Sequence, residues 1–472
     1  MQNNFEHSVK KIMSLKEFKK KILCIGAGYV GGPTMTVIAN KCPEYKVTVV
    51  DISKPRIDAW NSEELPIYEI GLKERVLSSR GKNLFFSTDV DKEIEEADII
   101  FVAVHTPTKT FGEGAGRAAD LQFIEKTARR IKAVARTPKI VVEKSTLPVR
   151  AAETLATILH SGEHEVRFEI LSNPEFMAEG TAIQDMEHPD RILIGYNESE
   201  SGRLARDELM NVYLNWVPRE KLITTNLWSS ELSKLVSNAF LAQRISSINS
   251  IAALCEETEA DVVEVANAVG KDSRIGSKFL RAGVGFGGSC FRKDILHLAY
   301  LCEYYGLIEV ARFWEQVVTL NDYQIGRFVK QILQAMFNTL VGKKIALFGY
   351  AFKPDTSDTR DAPAGYICHH LLKEKAKLSI VDPYALDNAR TELPGDEGIE
   401  FEKDPYKAIQ GAHAIALVTE WDCFRDLDYK RIFSEMEKPA FIFDGRNLLN
   451  HQALFDIGFN VYAVGKPPRS HL

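Results

Sequence analysis

Cysteine is sparse and unpaired in this chain of 472 residues. The seven cysteines stand at positions 24, 42, 255, 290, 302, 368 and 423, and no two form a C-x-x-C pair. An odd, scattered set argues against a disulfide framework and against a structural zinc site, and most of the seven read as small buried hydrophobes. Long apolar runs are missing too. No segment approaches the roughly 18 to 20 apolar residues that a membrane span requires. The opening MQNNFEHSVKKIMSLKEFKK lacks the apolar core of a secretory signal. Positive charge is not in excess: 59 Lys and Arg face 65 Asp and Glu, for a net charge of -6. Bulk charge therefore favours neither nucleic acid nor an acidic membrane surface, and an anionic ligand needs local cations and backbone amides. H-E-x-x-H and G-x-S-x-G are both absent. The CHH run at 368–370 offers no metal cage, because consecutive side chains on a helix diverge. No metal is expected, and a reducing, cytoplasmic setting is.

What is present is the pattern of an α/β protein too long for one core, with 45% hydrophobic residues. Short apolar strands are expected at 21–26 (KILCIG), 46–51 (KVTVVD), 97–104 (ADIIFVAV) and 138–143 (PKIVVE), with helical stretches between them. That alternation predicts a parallel sheet covered on both faces. A similar order returns at 343–350 (KKIALFGY), 377–383 (KLSIVDP), 411–420 (GAHAIALVTE) and 439–447 (PAFIFDGRN), a duplication of pattern. Between Trp228 and Met336 the strand signals fade, and apolar residues recur at three- and four-residue spacing. Ser229 and Ser230 suggest a capped start to the first long helix there. The expected fold is α/β: two doubly wound Rossmann-like domains joined by a helical central domain. The expected parts are a flexible extension (1–19), a first domain (20–226), a helical domain suited to dimerisation (227–337) and a last domain (338–472).

GAGYVG at 26–31 is G-x-G-x-x-G, placed directly after a strand and opening a helix. Gly26 permits a tight turn, Gly28 admits a pyrophosphate, and Gly31 allows close helix–strand packing; the helix N-terminus then faces the phosphates. Asp51 closes the second strand, where a carboxylate accepts ribose hydroxyls and repels a 2′-phosphate. NAD is the expected cofactor. Arg56 is close enough in sequence to contact the adenosine end, or is a solvated helix residue.

The chemistry-bearing stretch is GVGFGGSCFRKD, 283–294. Its glycines place Cys290 at or just before a helix N-terminus, a position that favours the thiolate, and Arg292 and Lys293 push the same way. Asp294 lies one turn on and, as a carboxylate, disfavours a thiolate; it is better placed to orient a water or a lysine. The alternative is a buried cysteine in a tight turn. Lys234 and Asn238 share a helix face one turn apart, though such a lysine commonly points to water. Glu175 and Glu179 follow Asn173 and Pro174 at an apparent helix start, where acids are favoured in any case. Lys144, Ser145 and Thr146 stand at a strand carboxyl end, where doubly wound folds bind ligands. A dehydrogenase needs a thiol when it oxidises past the aldehyde: the thiol traps the aldehyde as a thiohemiacetal, and a second oxidation gives a thioester that water hydrolyses.

GAGYVGGPT, EKSTLPVRAAE, LSNPEFMAEGTAI, SSELSKLVSNAFLAQRISSINS, GVGFGGSCFRKD and FDGRN together resemble the UDP-glucose 6-dehydrogenase family, its animal members in particular, from about residue 20 to 465. The resemblance implies oxidation of UDP-glucose to UDP-glucuronate with two NAD. It implies Cys290 as nucleophile, Lys234 assisting proton transfer and stabilising oxyanion character at C6, and Asp294 handling the hydrolytic water. Thr146 and Glu175 would hold a catalytic water and tune Lys234, and Asn238 stands with them. Substrate-contacting positions matched are Glu179, Lys234, Asn238, Phe279, Leu280, Arg281 and Phe291, with Lys353 and Arg446 as cations from the last domain. Arg274 matches an arginine that reaches the neighbouring subunit's substrate. Positions facing NAD are Gly26, Gly28, Tyr29, Val30, Gly31, Asp51, Arg56, Thr146, Cys290 and Arg360. A homo-oligomer, dimer or hexamer, is implied. The chain departs from the family pattern at His105, Pro354 and Asn447. Rival readings are another nucleotide-sugar dehydrogenase, a single-oxidation hydroxy-acid dehydrogenase, and a nucleotide-sugar-binding protein without turnover.

Overall fold

The computed structural model describes residues 18–145, 150–162, 166–393 and 398–472. The described residues up to Lys109, together with Ala119–Lys234, form one compact unit, and Thr110–Ala118 with Leu235–Leu472 form another. The expected N-terminal extension lies almost wholly outside the described residues.

The first unit is organised by eight strands: β1 Lys20–Ile25, β2 Tyr45–Val50, β3 Leu84–Ser87, β4 Ile99–Val102, β5 Lys139–Glu143, β6 Phe168–Ser172, β7 Ile192–Tyr196 and β8 Leu222–Asn226. They lie in the order β3-β2-β1-β4-β5-β6-β7-β8. Neighbours run parallel except β6 and β7. Alternate residues of β1 serve opposite faces: Ile22 and Cys24 join one apolar cluster, Leu23 and Ile25 another. A strand buried on both faces reads as an unbroken apolar run, which is why β1, β2, β4 and β5 were legible. Reversal of strand order at β1/β4 is the switch point of a doubly wound sheet, and ligands bind outside the strand carboxyl ends there.

The second unit holds β9 Lys344–Phe348, β10 Lys377–Val381, β11 Ile399–Glu402, β12 Ala414–Leu417, β13 Phe441–Asp444 and β14 Asn460–Ala463. Their order, β11-β10-β9-β12-β13-β14, repeats that of the first six strands of the chain, and every pair is parallel. The repeated sequence pattern is thus a repeated topology. Between β8 and β9 the described chain is helical, with helices Leu227–Thr258, Val262–Gly270, Phe291–Tyr304 and Ile308–Ala335.

Two local expectations shift. The long helix begins at Leu227, not at Ser229 or Ser230. Asn226 stands before it and accepts the Ser229 N–H at 2.8 Å, while the Ser230 hydroxyl is buried 3.0 Å from that of Ser172. Glu175 and Glu179 do not open a helix. Residues 173–181 form a loop and the helix starts at Ala182. Asn173 and Pro174 are buried at the end of β6, and the loop carries Glu175 into the interior rather than to a solvated first turn.

Candidate active site

The dinucleotide motif folds as its glycines require. Gly26 has φ +113, and a Cβ there would meet the Ala103 carbonyl oxygen at 2.3 Å. A Cβ on Gly31 would lie 2.0 Å from the Gly26 carbonyl oxygen. Nothing lies within 4 Å of a Cβ on Gly28, so its backbone borders open space. Tyr29 and Val30 follow, and the helix Gly31–Lys41 begins with no side-chain cap, its first N–H groups unfilled by any serine or aspartate. Asp51 Oδ2 accepts the Ala27 N–H at 3.0 Å and Oδ1 the Ser53 N–H at 2.9 Å. Arg56 pairs with Asp51 at 3.3 Å. The corresponding aspartate of the second sheet, Asp382, is different. It accepts N–H groups from Tyr350, Ala351, Tyr384 and Ala385 and from the Trp421 indole, and it is 2% exposed. A carboxylate has about four lone-pair sites, so Asp382 is saturated by its own chain while Asp51 keeps capacity for ribose hydroxyls. The residues at the first switch point fit NAD.

On the same unit, Lys234 and Glu175 form a buried ion pair, Nζ to Oε1 3.1 Å, with side-chain exposures of 5% and 7%. The lysine does not point to water. Phe176 lies against it, 5.6 Å from the ammonium to the ring centre, and stacks on Arg191 at 3.8 Å. Burial by itself would raise the Glu175 carboxyl; the cations of Lys234 and Lys144 outweigh it and hold Glu175 below its ordinary value. Glu179 is half-buried further along the loop. Thr146 lies outside the described residues.

In the second unit, Cys290 is the N-cap of the helix Phe291–Tyr304, half-buried, its Sγ 3.4 Å from the Ser289 hydroxyl. Asp294, 2% exposed, sits in the first turn and accepts Asn238 Nδ2 at 2.6 Å. Phe291 packs edge-on against Phe286. Arg292 is not a free cation beside the thiol: Asp322 and Asp361 both pair with it. The glycine run before Cys290 is held by amide side chains. Asn249 Oδ1 accepts Gly283 N–H at 2.9 Å, Gln324 donates to the Gly283 carbonyl at 2.9 Å, and Asn321 bonds both N–H and C=O of Phe286 at 2.8 and 3.1 Å. Gly285 (φ +128) and Gly288 (φ +89) take conformations closed to other residues, and a Cβ on Gly288 would strike the Phe352 ring at 2.9 Å. Gly288 N–H reaches the Arg360 carbonyl at 2.9 Å.

The remaining positions divide by environment. Arg446 donates to the carbonyls of Val418, Gly285 and Phe352 and pairs with Glu420, so it braces the glycine run. Lys353 is half-buried beside the Phe352 ring. The Arg360 side chain pairs with Asp358 and is half exposed. Arg274 is 88% exposed and pairs with its neighbour Asp272 at 2.7 Å. Phe279 and Arg281 are exposed, Leu280 is half-buried, and the segment before them is clamped by Arg244, whose guanidinium binds the carbonyls of Ile275, Gly276 and Lys278 at 2.7–2.9 Å. Asn447, where the family pattern has arginine, sits at φ +53 and donates to the Val464 carbonyl at 2.9 Å; asparagine tolerates that backbone well.

Residues 20–217 match the NAD-binding domain of the UDP-glucose/GDP-mannose dehydrogenase family, 228–323 its central domain and 346–451 its UDP-binding domain. This chain belongs to the UDP-glucose/GDP-mannose dehydrogenase family. UDP-glucose 6-dehydrogenase 4 of Oryza sativa subsp. japonica is 58% identical over 466 residues, 95% of this chain and 97% of that one. UDP-glucose 6-dehydrogenase 4 of Arabidopsis thaliana is 57% identical over the same shares. The solved UDP-glucose dehydrogenase of Pyrobaculum islandicum superposes with a TM-score of 0.84 at 29% identity, covering 95% of this chain and 98% of that one.

Against that family frame, Asn249, Arg244, Asn321 and Gln324 escaped sequence reasoning. Asn321 and Gln324 carried a usable signal. They interrupt the buried stripe Val317, Val318, Ile325 and Phe328 of their helix, and a polar side chain on such a stripe needs a partner.

Proposed function

We infer that this chain is a UDP-glucose 6-dehydrogenase, an NAD-dependent oxidoreductase that takes the C6 alcohol of UDP-glucose to the carboxylate of UDP-glucuronate. The observation that carries the assignment is 58% identity across 95% of the chain to proteins of that name.

NAD, when bound at Gly26, Gly28, Gly31 and Asp51, supplies the hydride acceptor for each of the two oxidations. The chain's own residues do the rest. In its neutral form Lys234 takes the C6 hydroxyl proton as the hydride leaves, which gives the aldehyde, and the ammonium so formed offsets oxyanion charge at C6, with Glu175 as its buried counter-charge. The Cys290 thiolate then adds to the aldehyde carbon as the carbonyl oxygen gains a proton, and the thiohemiacetal holds the sugar on the enzyme. Loss of a hydride and the hydroxyl proton leaves a thioester on Sγ. Water adds to it, the C–S bond breaks, and thiol and carboxylate result. Asp294, kept in place by Asn238, orients that water, and Thr146 belongs to the same proton-handling group. A cap position favours the thiolate through the N–H groups of the first turn.

Glu179, Phe279, Leu280, Arg281 and Phe291 are assigned to the sugar nucleotide, and Lys353 and Arg446 to its charged end. The assembly is a homo-oligomer. Exposed Tyr304, Tyr305, Leu307, Ile308, Val310 and Phe313 supply an apolar surface for it, and Arg274 is the arginine offered to the neighbouring subunit. Among the described residues no helix is long and apolar enough to cross a membrane, and the enzyme is assigned to the cytoplasm. The test is stoichiometry: purified enzyme with excess NAD should give two NADH and one UDP-glucuronate per UDP-glucose. A yield of one NADH with aldehyde released would contradict the two-step reading.

A further inference from the structure

The reaction just described leaves the buried Lys144 unused. Lys144 is 1% exposed and follows β5 directly. Its ammonium lies 3.1 Å from Asn173 Oδ1, which also accepts the Tyr213 hydroxyl at 2.5 Å. Asn173 is itself fixed, donating Nδ2 to the Leu193 carbonyl at 2.8 Å and its N–H to the Glu143 carbonyl at 2.8 Å. An ammonium so enclosed cannot swing to water, and a buried cation persists where a carboxylate offsets it. The carboxylate next along the same buried loop is Glu175, two residues beyond Asn173 and 3.1 Å from the Lys234 ammonium. Burial pushes the Lys144 ammonium down to about 8, opposed by Glu175 and reinforced by the repulsion of Lys234. Lys234 thus holds Glu175 directly, and Lys144 is anchored on Asn173, two residues before it.

We propose that Lys144 is a positioning residue of the proton-handling site, acting through Glu175: its fixed ammonium draws on the carboxylate that pairs with Lys234 and so keeps Lys234 ready to give up its proton. The proposal rests on the reading of this chain as a UDP-glucose 6-dehydrogenase. Lys144 need touch neither sugar nor cofactor. If its charge is removed, Lys234 has the whole of Glu175 and loses a repelling neighbour, while Glu175 loses one of two cations. Both groups then hold protons to higher pH. Whichever of them sets a limb of the rate profile, that limb moves in the same direction.

The experiment is the pH profile of NADH formation from UDP-glucose for wild type, Lys144→Met and Lys144→Arg, with thermal unfolding of each ligand-free protein over the same pH range. Lys144→Met should move the profile up by about one pH unit, and Lys144→Arg, which keeps a cation, should leave it at or below the wild-type position. The unfolding series reads the charge without turnover. The native chain loses the Lys144 proton near 8, whereas an unfolded lysine keeps it to about 10.4. Between those values the unfolded chain binds more protons, so wild-type stability rises with pH, and both variants should lack that rise. A Lys144→Met profile that stays put while its melting temperature falls would overturn the role and leave Lys144 a structural residue. Should that variant not accumulate as folded protein, a Lys144→Arg profile displaced to higher pH would overturn it equally. A wild type that forms no NADH from UDP-glucose would overturn the reading of the enzyme itself, and this role with it.

Discussion

Asn238 and Asp294, 56 residues apart in sequence, are joined by a 2.6 Å hydrogen bond between two buried side chains. The bond ties the helix Leu227–Thr258 to the first turn of the helix that Cys290 caps. Replacing Asn238 by alanine removes a donor from a buried carboxylate, at a cost of about 1–3 kcal/mol. The expected result is a lower melting temperature and a fall in kcat that exceeds any rise in KM for NAD. Urea unfolding and steady-state kinetics on Asn238→Ala read both. Unchanged stability would mean that the bond contributes nothing to holding Asp294.

Asp51, proposed above to hold NAD, is tied to the turn of the glycine motif. Its Oδ2 bonds the Ala27 N–H at 3.0 Å and its Oδ1 the Ser53 N–H at 2.9 Å. Asp51→Ala loses charge-assisted hydrogen bonds worth about 1.5–3 kcal/mol each, so KM for NAD should rise about 10- to 100-fold. KM for UDP-glucose should change far less. Removing the carboxylate also removes repulsion of a 2′-phosphate, so the NAD-over-NADP preference should shrink. Initial rates with both cofactors check this.

Glu143 ends β5 beneath the helix Ala151–Leu159 and is 1% exposed. Glu231 accepts the N–H groups of Arg150 and Ala152, both at 2.7 Å, at the start of that helix. Burial, then the charge of Glu231, push the Glu143 carboxyl well above its ordinary value, which favours its protonated form. The sign follows directly. The neutral Glu143 contributes its stability in full below the unfolded value of about 4.3, and that contribution is lost as pH rises through the folded value. Glu143→Gln keeps a neutral donor. Relative to the wild type, its melting temperature should therefore gain as pH rises above that unfolded value, with the two curves closest near pH 4. Parallel curves would show that Glu143 is ionised in the native chain.

Much of the architecture was legible because burial writes itself into sequence. The apolar runs of β1, β2, β4 and β5 and the helical spacing from Leu227 onward reflect sheets covered on both faces and helices with one apolar stripe. β3, β6, β7 and β8 were missed, as were β11 and β14 of the second sheet; β8 exposes Ile223 and Thr224 and carries no continuous apolar signal. The glycine turn, the place of Asp51 after β2 and the cap position of Cys290 were readable because they rest on particular residue types at fixed spacing. Lys234 was ambiguous. Its sequence neighbours do not reveal that Glu175, 59 residues earlier, waits for it in the interior. The charge of Arg292 was misjudged for the same reason, since Asp322 and Asp361 reach it only through the fold. Of the clamps on the glycine run, Asn321 and Gln324 speak only once the buried stripe on which they lie is known, and Asn249, on the helix Leu227–Thr258, carries no such signal.

The most direct test of the account is to catch the sugar on Cys290. Enzyme mixed with UDP-glucose and NAD is quenched in acid during turnover, digested, and the peptide carrying Cys290 is weighed. The account predicts a covalent sugar-nucleotide adduct on that peptide in the wild type, more of it in Asp294→Asn, where water attack is slowed, and none in Cys290→Ala, which should form no UDP-glucuronate. A Cys290→Ala enzyme that still makes two NADH per UDP-glucose, with no adduct on the wild type, would contradict it.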